Sequence, residues 1–163
     1  MPTPTEIEEK FWKALKSDRT MMLGLVGVDD GLGQPMTATT GDRDGRGPIW
    51  VFTAKDTDFC QAMGDRHAAI INFASKGHDV FAAVDGEIVV DNDRATVDRL
   101  WNPFVAAWYP GGKDDPNLQL VRFEPTSAQI WLNENSLFAG MKMLLGSDPK
   151  KDYADKMTEV RLG

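Results

Sequence analysis

"HAAIINFA" at residues 67–74 and "HDVFAAVDGEIVV" at 78–90 decide the fold of this chain. Both runs are rich in Val, Ile, Ala and Phe and are bounded by turn residues, so each reads as a β-strand, the second a long one. Only "SKG" at 75–77 lies between them, far too little chain for the crossover helix that a parallel connection needs. The two strands are therefore expected to pair antiparallel.

The same pattern extends outward in both directions. On the N-terminal side, "PIWVFTA" (48–54) is a strand candidate with two aromatic residues and β-branched neighbours. "DTDFCQAMGD" (56–65) allows a short helix starting near Thr57 or Asp58. "TMMLGLVGV" (20–28), the turn "DDGLG" (29–33) and "QPMTATT" (34–40) form an expected hairpin, with Pro35 near a strand start or on an edge. Ahead of it, Thr5 and Glu8 stand at capping-box spacing, and Ile7, Phe11 and Leu15 recur at helical intervals, predicting a helix over about 5–17.

On the C-terminal side, Asn92 is placed to cap a helix through "DRATVDRLW" (93–101). "LQLVRFEP" (118–125) and "AQIWL" (128–132) read as two strands separated around Pro125-Thr126-Ser127. "SLFAGMKMLLG" (136–146) reads as a helix and 147–163 as a polar, loosely held tail. Six or seven strands with short connections predict a mainly β fold, an antiparallel barrel with a few helices on its outside, forming one domain over 1–163.

Composition narrows the function. With 163 residues, 42% hydrophobic and 26% charged, the chain can bury a sufficient core without staples. The net charge of −7 disfavours a general grip on nucleic acid, which needs a surplus of Lys and Arg on one face. No apolar run approaches membrane-spanning length, no leader is expected, since the first residues lack a basic start followed by an apolar run, and Cys60 is the single cysteine. No membrane partner and a cytoplasmic location are the expectations.

Most catalytic signatures are missing or misplaced. The clusters "GVDDGLG" and "GDRDGRG" lie between strands, whereas a dinucleotide loop sits between a strand and a helix. "DRDG" at 42–45 lacks the far acidic ligand of a calcium loop. His67 and His78 have no clustered ligands beside them, so no metal is expected. There is no G-x-S-x-G elbow, and no catalytic residue is assigned.

What remains is a concentration of aromatic and small polar residues: "PMTATT", "PIWVFTAKDT" and "WNPFVAAWYPGGKDDP" (101–116). Either the last of these closes an ordinary core or something flat is bound there. A flat amphipathic ligand takes apolar contact on its faces and hydroxyl or backbone partners at its edge. Thr37, Thr39, Thr53 and Thr57 offer hydroxyls, and Lys55, Arg43 and Arg46 offer charge for a phosphate.

Taken in order, "QPMT", "IWVFTAKD", "VFAAVDGEIVVDND", "LWNPFVAAWYPGGKDDPNLQLVRFEP" and "AQIWL" resemble the general stress protein 26 group of the pyridoxamine 5'-phosphate oxidase-like proteins, over roughly 5–145. The resemblance implies an antiparallel split β-barrel that binds flavin mononucleotide (FMN) at a homodimer interface. It places Met36 and Thr37 along the isoalloxazine edge and Trp50, Val51, Phe52 and Thr53 on the strand beneath. Lys55 and Thr57 fall near the ribityl phosphate, and the 101–113 region, with Trp101, Trp108 and Lys113, lies close to the flavin from the partner subunit. Gln34 stands where many members carry arginine, and Phe59 where many carry Lys or Arg. Both changes remove positive charge near the phosphate, leaving Lys55 with Arg43 or Arg46 to compensate. The functional expectation is an FMN-binding general stress protein, redox-active as a reductase or oxidase of unknown substrate. The alternative is a non-catalytic flavin-binding or sensing module.

Overall fold

The structure, a computed structural model, describes residues 2–40, 46–133 and 157–162. Arg43 and the helix expected at 136–146 lie outside the described residues. Helix α1 spans Pro4–Asp18, one residue beyond the expected range at each end, and its cap is Thr3, two residues before the expected Thr5. The chain offers two Thr-x-x-Glu boxes, and the first is used: Glu6 N–H donates to Thr3 Oγ1 at 3.2 Å and Thr3 N–H to Glu6 Oε2 at 2.8 Å. Pro4 favours this choice, because its fixed φ suits the first helical position and its missing N–H costs nothing there. Glu8, freed from capping, accepts instead from Trp12 Nε1 at 3.3 Å.

Seven strands follow among the described residues: β1 Thr20–Leu25, β2 Gln34–Thr37, β3 Ile49–Ala54, β4 Arg66–Ala74, β5 Val80–Val90, β6 Leu118–Leu132 and β7 Met157–Arg161. Three short helices lie among them: α2 Asp58–Met63, α3 Arg94–Leu100 and α4 Pro103–Ala106. The strands run in the order β2-β1-β4-β5-β6-β3, with β7 added to β6, and every pairing is antiparallel. A bridge between Thr39 and Trp50, with both N–H···O bonds at 2.8 Å, joins the two ends of this order. The sheet is thereby a nearly closed split barrel, as expected. Among the described residues no helix is long and apolar enough to cross a membrane.

The pair that opened the sequence reading carries the barrel. β4 and β5 pair without interruption from Arg66↔Val89 to Ala74↔Phe81. Beyond them, β6 corrects the expectation of two separate strands, since it runs unbroken through Pro125. Pro125 is tolerated because the β5–β6 ladder shifts register here: Asp85 pairs Ser127 and Gly86 pairs Pro125, leaving Thr126 between them. Thr126 Oγ1 donates to the Asp85 carbonyl at 3.1 Å. On its other edge β6 holds β3 through residues 118–123 and β7 through 127–131. Residues 157–161, read from sequence as part of a loose tail, thus form a paired strand.

The barrel interior is filled by Leu23, Ile71, Val84, Ile88, Phe123 and Ile130, all at 0% exposure, and α1 seals one opening with Ile7, Phe11, Trp12 and Leu15. Full burial of such side chains contributes roughly 1.5–3 kcal/mol each. A second, smaller cluster lies outside the barrel wall, where α3 and the segment after it cover β3 and the start of β6: Trp50, Val97, Tyr109, Leu118 and Leu120. The cap of α3 is Asp93 and not Asn92. Asn92 instead ties the chain to β6, accepting from Leu120 N–H at 2.7 Å.

Candidate functional site

The stretch 101–116 divides its aromatic residues between two tasks. Asn102 caps α4, its Oδ1 accepting from Phe104 N–H at 3.0 Å and Val105 N–H at 3.1 Å, and Pro103 follows at the first helical position. Trp101, just before the cap, packs edge-on against Phe52 at 6.1 Å and tilts toward Tyr109 at 6.3 Å. Tyr109 is buried, and its hydroxyl donates to the Thr53 carbonyl at 2.7 Å. Burial, with smaller contributions from Cys60 and Asp115, pushes the Tyr109 hydroxyl up to about 12, so at neutral pH it is a fixed donor. Trp108, by contrast, is 82% exposed, and Phe104 is 75% exposed.

Between this segment and the barrel wall lies a cleft of about 610 Å³, a size usual for small-molecule sites. Of the residues singled out from sequence, Met36, Thr37, Thr39, Phe52, Thr53, Thr57 and Trp108 line it. They come from β2 and the residue chain just beyond it, from β3 with the turn into α2, and from the end of α4. Three stretches far apart in sequence therefore meet at one place.

The other five sit elsewhere. Val51 is 1% exposed and belongs to the barrel interior. Trp50 is buried in the outer cluster, with the Arg122 guanidinium 6.0 Å from its ring. Trp101 lies among the partly buried residues of the same cluster, against Phe52. Lys55 is exposed beside Ala54 and Thr57 but does not line the cleft. Lys113 is engaged by Asp98, with Nζ 3.0 Å from Oδ1, and this bond, with Arg94 adding to it, holds the Asp98 carboxyl below its ordinary range. Arg46 is also engaged, facing Glu8 at 3.7 Å and Glu9 at 3.4 Å on α1.

Hydrogen-bond accounting separates the four threonines. The Thr57 hydroxyl already donates to the Ala54 carbonyl at 2.8 Å and accepts from Cys60 N–H at 3.2 Å, as the cap of α2. Its single proton is used, so it cannot donate to a phosphate. Thr53 Oγ1 takes only a weak contact from Cys60 Sγ at 3.6 Å. Thr37 and Thr39, and Thr20 beside them in the cleft, make no side-chain hydrogen bond to another described residue.

Several lining residues carried no prior assignment. Asn102, Phe104, Val105 and Tyr109 belong to the aromatic stretch already quoted and Pro35 to "QPM", while Gln34, expected near the phosphate, lines the cleft as well. Arg19 and Thr20 had no signal of their own, because nothing in "SDRT" reveals that the end of α1 returns to the mouth of the cleft. Arg19 is the only Lys, Arg, Asp or Glu among the described lining residues. A larger groove of about 870 Å³ lies between α1 and the β4–β5 turn, but Lys10, Lys13 and Lys76 alternate there with Glu6, Asp18 and Asp79, and among the described residues no aromatic side chain lines it. That is an ordinary solvated surface.

The family model described as "Pyridoxamine 5'-phosphate oxidase like" matches residues 6–153. A general stress family protein of Xanthomonas campestris pv. campestris is 57% identical, with a TM-score of 0.77, the alignment covering 83% of this chain and 93% of that one. A general stress FMN/FAD binding protein of Xanthomonas citri is 58% identical, with a TM-score of 0.76 over 81% and 92% of the two chains. General stress protein 26 of Bacillus subtilis is 25% identical over 85 residues, a match that takes in 50% of this chain and 60% of the length of that relative. With the match running through the strands that build the cleft, this chain belongs to the pyridoxamine 5'-phosphate oxidase-like family.

Proposed function

We propose that the cleft binds FMN and that the protein is a redox-active flavoprotein working as a homodimer. The observation that carries this reading is the convergence of Met36, Thr37, Thr39, Phe52 and Trp108, from three separate segments, on one cleft. Met36 and Phe52 give apolar surface for a ring system, and Thr37 and Thr39 present hydroxyls without a hydrogen-bond partner among the described residues for its edge. The name of the Xanthomonas citri relative, an FMN/FAD binding protein, supports the choice of a flavin. The ribityl phosphate is assigned to the Ala54–Thr57 end, where Lys55 is the adjacent cation. Because Thr57 has no proton to give there, flavin affinity is expected to be modest.

A flavin brings one- and two-electron chemistry, and the polypeptide's part is to position it and control access. Trp101, held edge-on behind Phe52, stiffens that wall of the cleft. Trp108 and Phe104, exposed at the rim, are the surface a second subunit would cover to complete the pocket. Tyr109 keeps its proton on the Thr53 carbonyl and only orients the wall.

One feature favours the second reading, a flavin-binding module without turnover: among the described residues no Asp, Glu, His, Cys or Lys lines the cleft, so it holds none of the usual general acid-base groups besides Tyr109, whose proton is held on the Thr53 carbonyl. Titration of the purified protein with FMN tests the first step. Quenched flavin fluorescence and a shifted visible spectrum are expected, and unchanged free-flavin signals at tens of micromolar protein would end the proposal. With FMN bound, sustained consumption of a reduced nicotinamide cofactor marks an enzyme; tight binding without consumption marks the module. Light scattering tests the dimer, and a monomer would remove the partner-covered rim.

A further inference from the structure

We propose that the Arg19 end of the cleft is a subsite for the oxyanion group of a small organic acid that binds alongside the flavin. The inference rests on the flavin ring lying in the middle of the cleft with its tail toward Lys55. Arg19 is held in place by its backbone on both sides. As the residue that ends α1 it takes a left-handed conformation, φ 62°, and its N–H donates to the Leu15 carbonyl at 2.9 Å. Its own carbonyl accepts from Ala38 N–H at 2.6 Å, which fixes it beside the end of β2.

Hydroxyls collect around this point. Thr20 follows Arg19 and pairs directly with Thr37, and Thr39 lies at the bridge that closes the barrel. None of the three hydroxyls, nor the guanidinium, has a hydrogen-bond or ion-pair partner among the described residues. With Thr37 and Thr39 turned to the flavin edge, the forked Arg19 guanidinium and the Thr20 hydroxyl remain as the donor set that a carboxylate or phosphate accepts from.

The other end of the cleft is different in kind. Gln34 pairs with Leu23, four residues along β1 from Arg19, a distance of roughly 13 Å at about 3.3 Å per residue. The lining side chains there are neutral, with Lys55 just outside the lining, and the Thr57 proton is spent. A flavin whose tail runs to that end leaves Arg19 unused by the cofactor. Since the chain carries a net charge of −7, an anionic ligand is held by this local contact against long-range repulsion.

The test uses benzoate as a planar carboxylate and benzamide as its neutral counterpart, titrated against FMN-loaded protein and followed by the visible spectrum of the flavin. Benzoate is expected to bind saturably, to be weakened about tenfold or more by Arg19→Gln and largely restored by Arg19→Lys, while FMN affinity changes less than about twofold. Benzamide is expected to bind weakly and equally to all three proteins. The proposal is overturned if benzoate does not bind, if Arg19→Gln binds it as well as wild type, or if benzamide matches it. It is also overturned if Arg19→Gln weakens FMN about tenfold and leaves riboflavin unchanged, which would assign Arg19 to the flavin phosphate. Should wild type bind no flavin, the flavin reading fails separately, and the same benzoate comparison, read by tryptophan fluorescence on the protein itself, still decides the anion subsite.

Discussion

Tyr109 joins chemistry and stability at a single residue. Its hydroxyl satisfies the Thr53 carbonyl at 2.7 Å in a buried setting, so Tyr109→Phe leaves that carbonyl without its side-chain donor. The expected loss is about 1–3 kcal/mol in urea unfolding. The hydroxyl also predicts a pH effect, since it is pushed up to about 12 from the ordinary 10.0. A raised value means that the folded state holds the proton more tightly than the unfolded state. Stability from this group is complete below pH 10 and declines as pH rises from 10 through about 12. The amount at stake is roughly 2–3 kcal/mol. Unfolding curves across that interval should fall more steeply for wild type than for Tyr109→Phe, and parallel curves would contradict the assignment.

Trp108, one residue earlier, makes the opposite prediction. At 82% exposure it adds little to the fold, so Trp108→Ala should shift stability by no more than about 0.5 kcal/mol. Under the flavin reading the same change should weaken FMN about tenfold, as loss of a stacking aromatic partner does. Equal damage to folding and binding would show that this indole belongs to the structure and not to the site.

At the scale of elements, the long strands β5 and β6 depend on the irregularity at Gly86. A Cβ added there would lie 2.4 Å from the Glu124 carbonyl oxygen and 2.6 Å from Cζ of the fully buried Phe123. Gly86→Ala is therefore expected to destabilise by about 1–3 kcal/mol or more, since backbone must move to admit the methyl group. Thermal unfolding measures this, and a midpoint within a degree of wild type would show that the bulge relaxes freely. The same irregularity admits Pro125 into β6 and lets one strand serve β3 at one end and β7 at the other. The α1 cap shows the same kind of local competition: of two equally spaced boxes, Pro4 decides for Thr3 and Glu6.

At the scale of the whole molecule, most strands and their antiparallel pairing were legible because they are local, whereas strand β7 and the continuity of β6 through Pro125 depend on partners elsewhere in the sheet. Runs such as 67–74 and 78–90 carry their β character in their own side chains, and a three-residue link at 75–77 permits one pairing only. The hydroxyl and aromatic residues of the cleft were legible for the same reason, as unusual local composition in "PMTATT" and around Trp108, with the family resemblance assigning them to one site. Which of them face the cleft was not. Val51 and Phe52 are neighbours, yet the barrel turns one inward and the other outward. Lys113 and Arg46 looked available in sequence and are held by Asp98, Glu8 and Glu9, carboxylates from other segments. Thr57 looked like a donor until its cap bonds were counted. Arg19 acquired its place only because the Thr39–Trp50 bridge brings β2 round to β3 beside the end of α1. Propensity and spacing act over a few residues and therefore determined the strands, whereas the orientation of each side chain depends on closure of the barrel, which sums contacts between residues far apart in the chain.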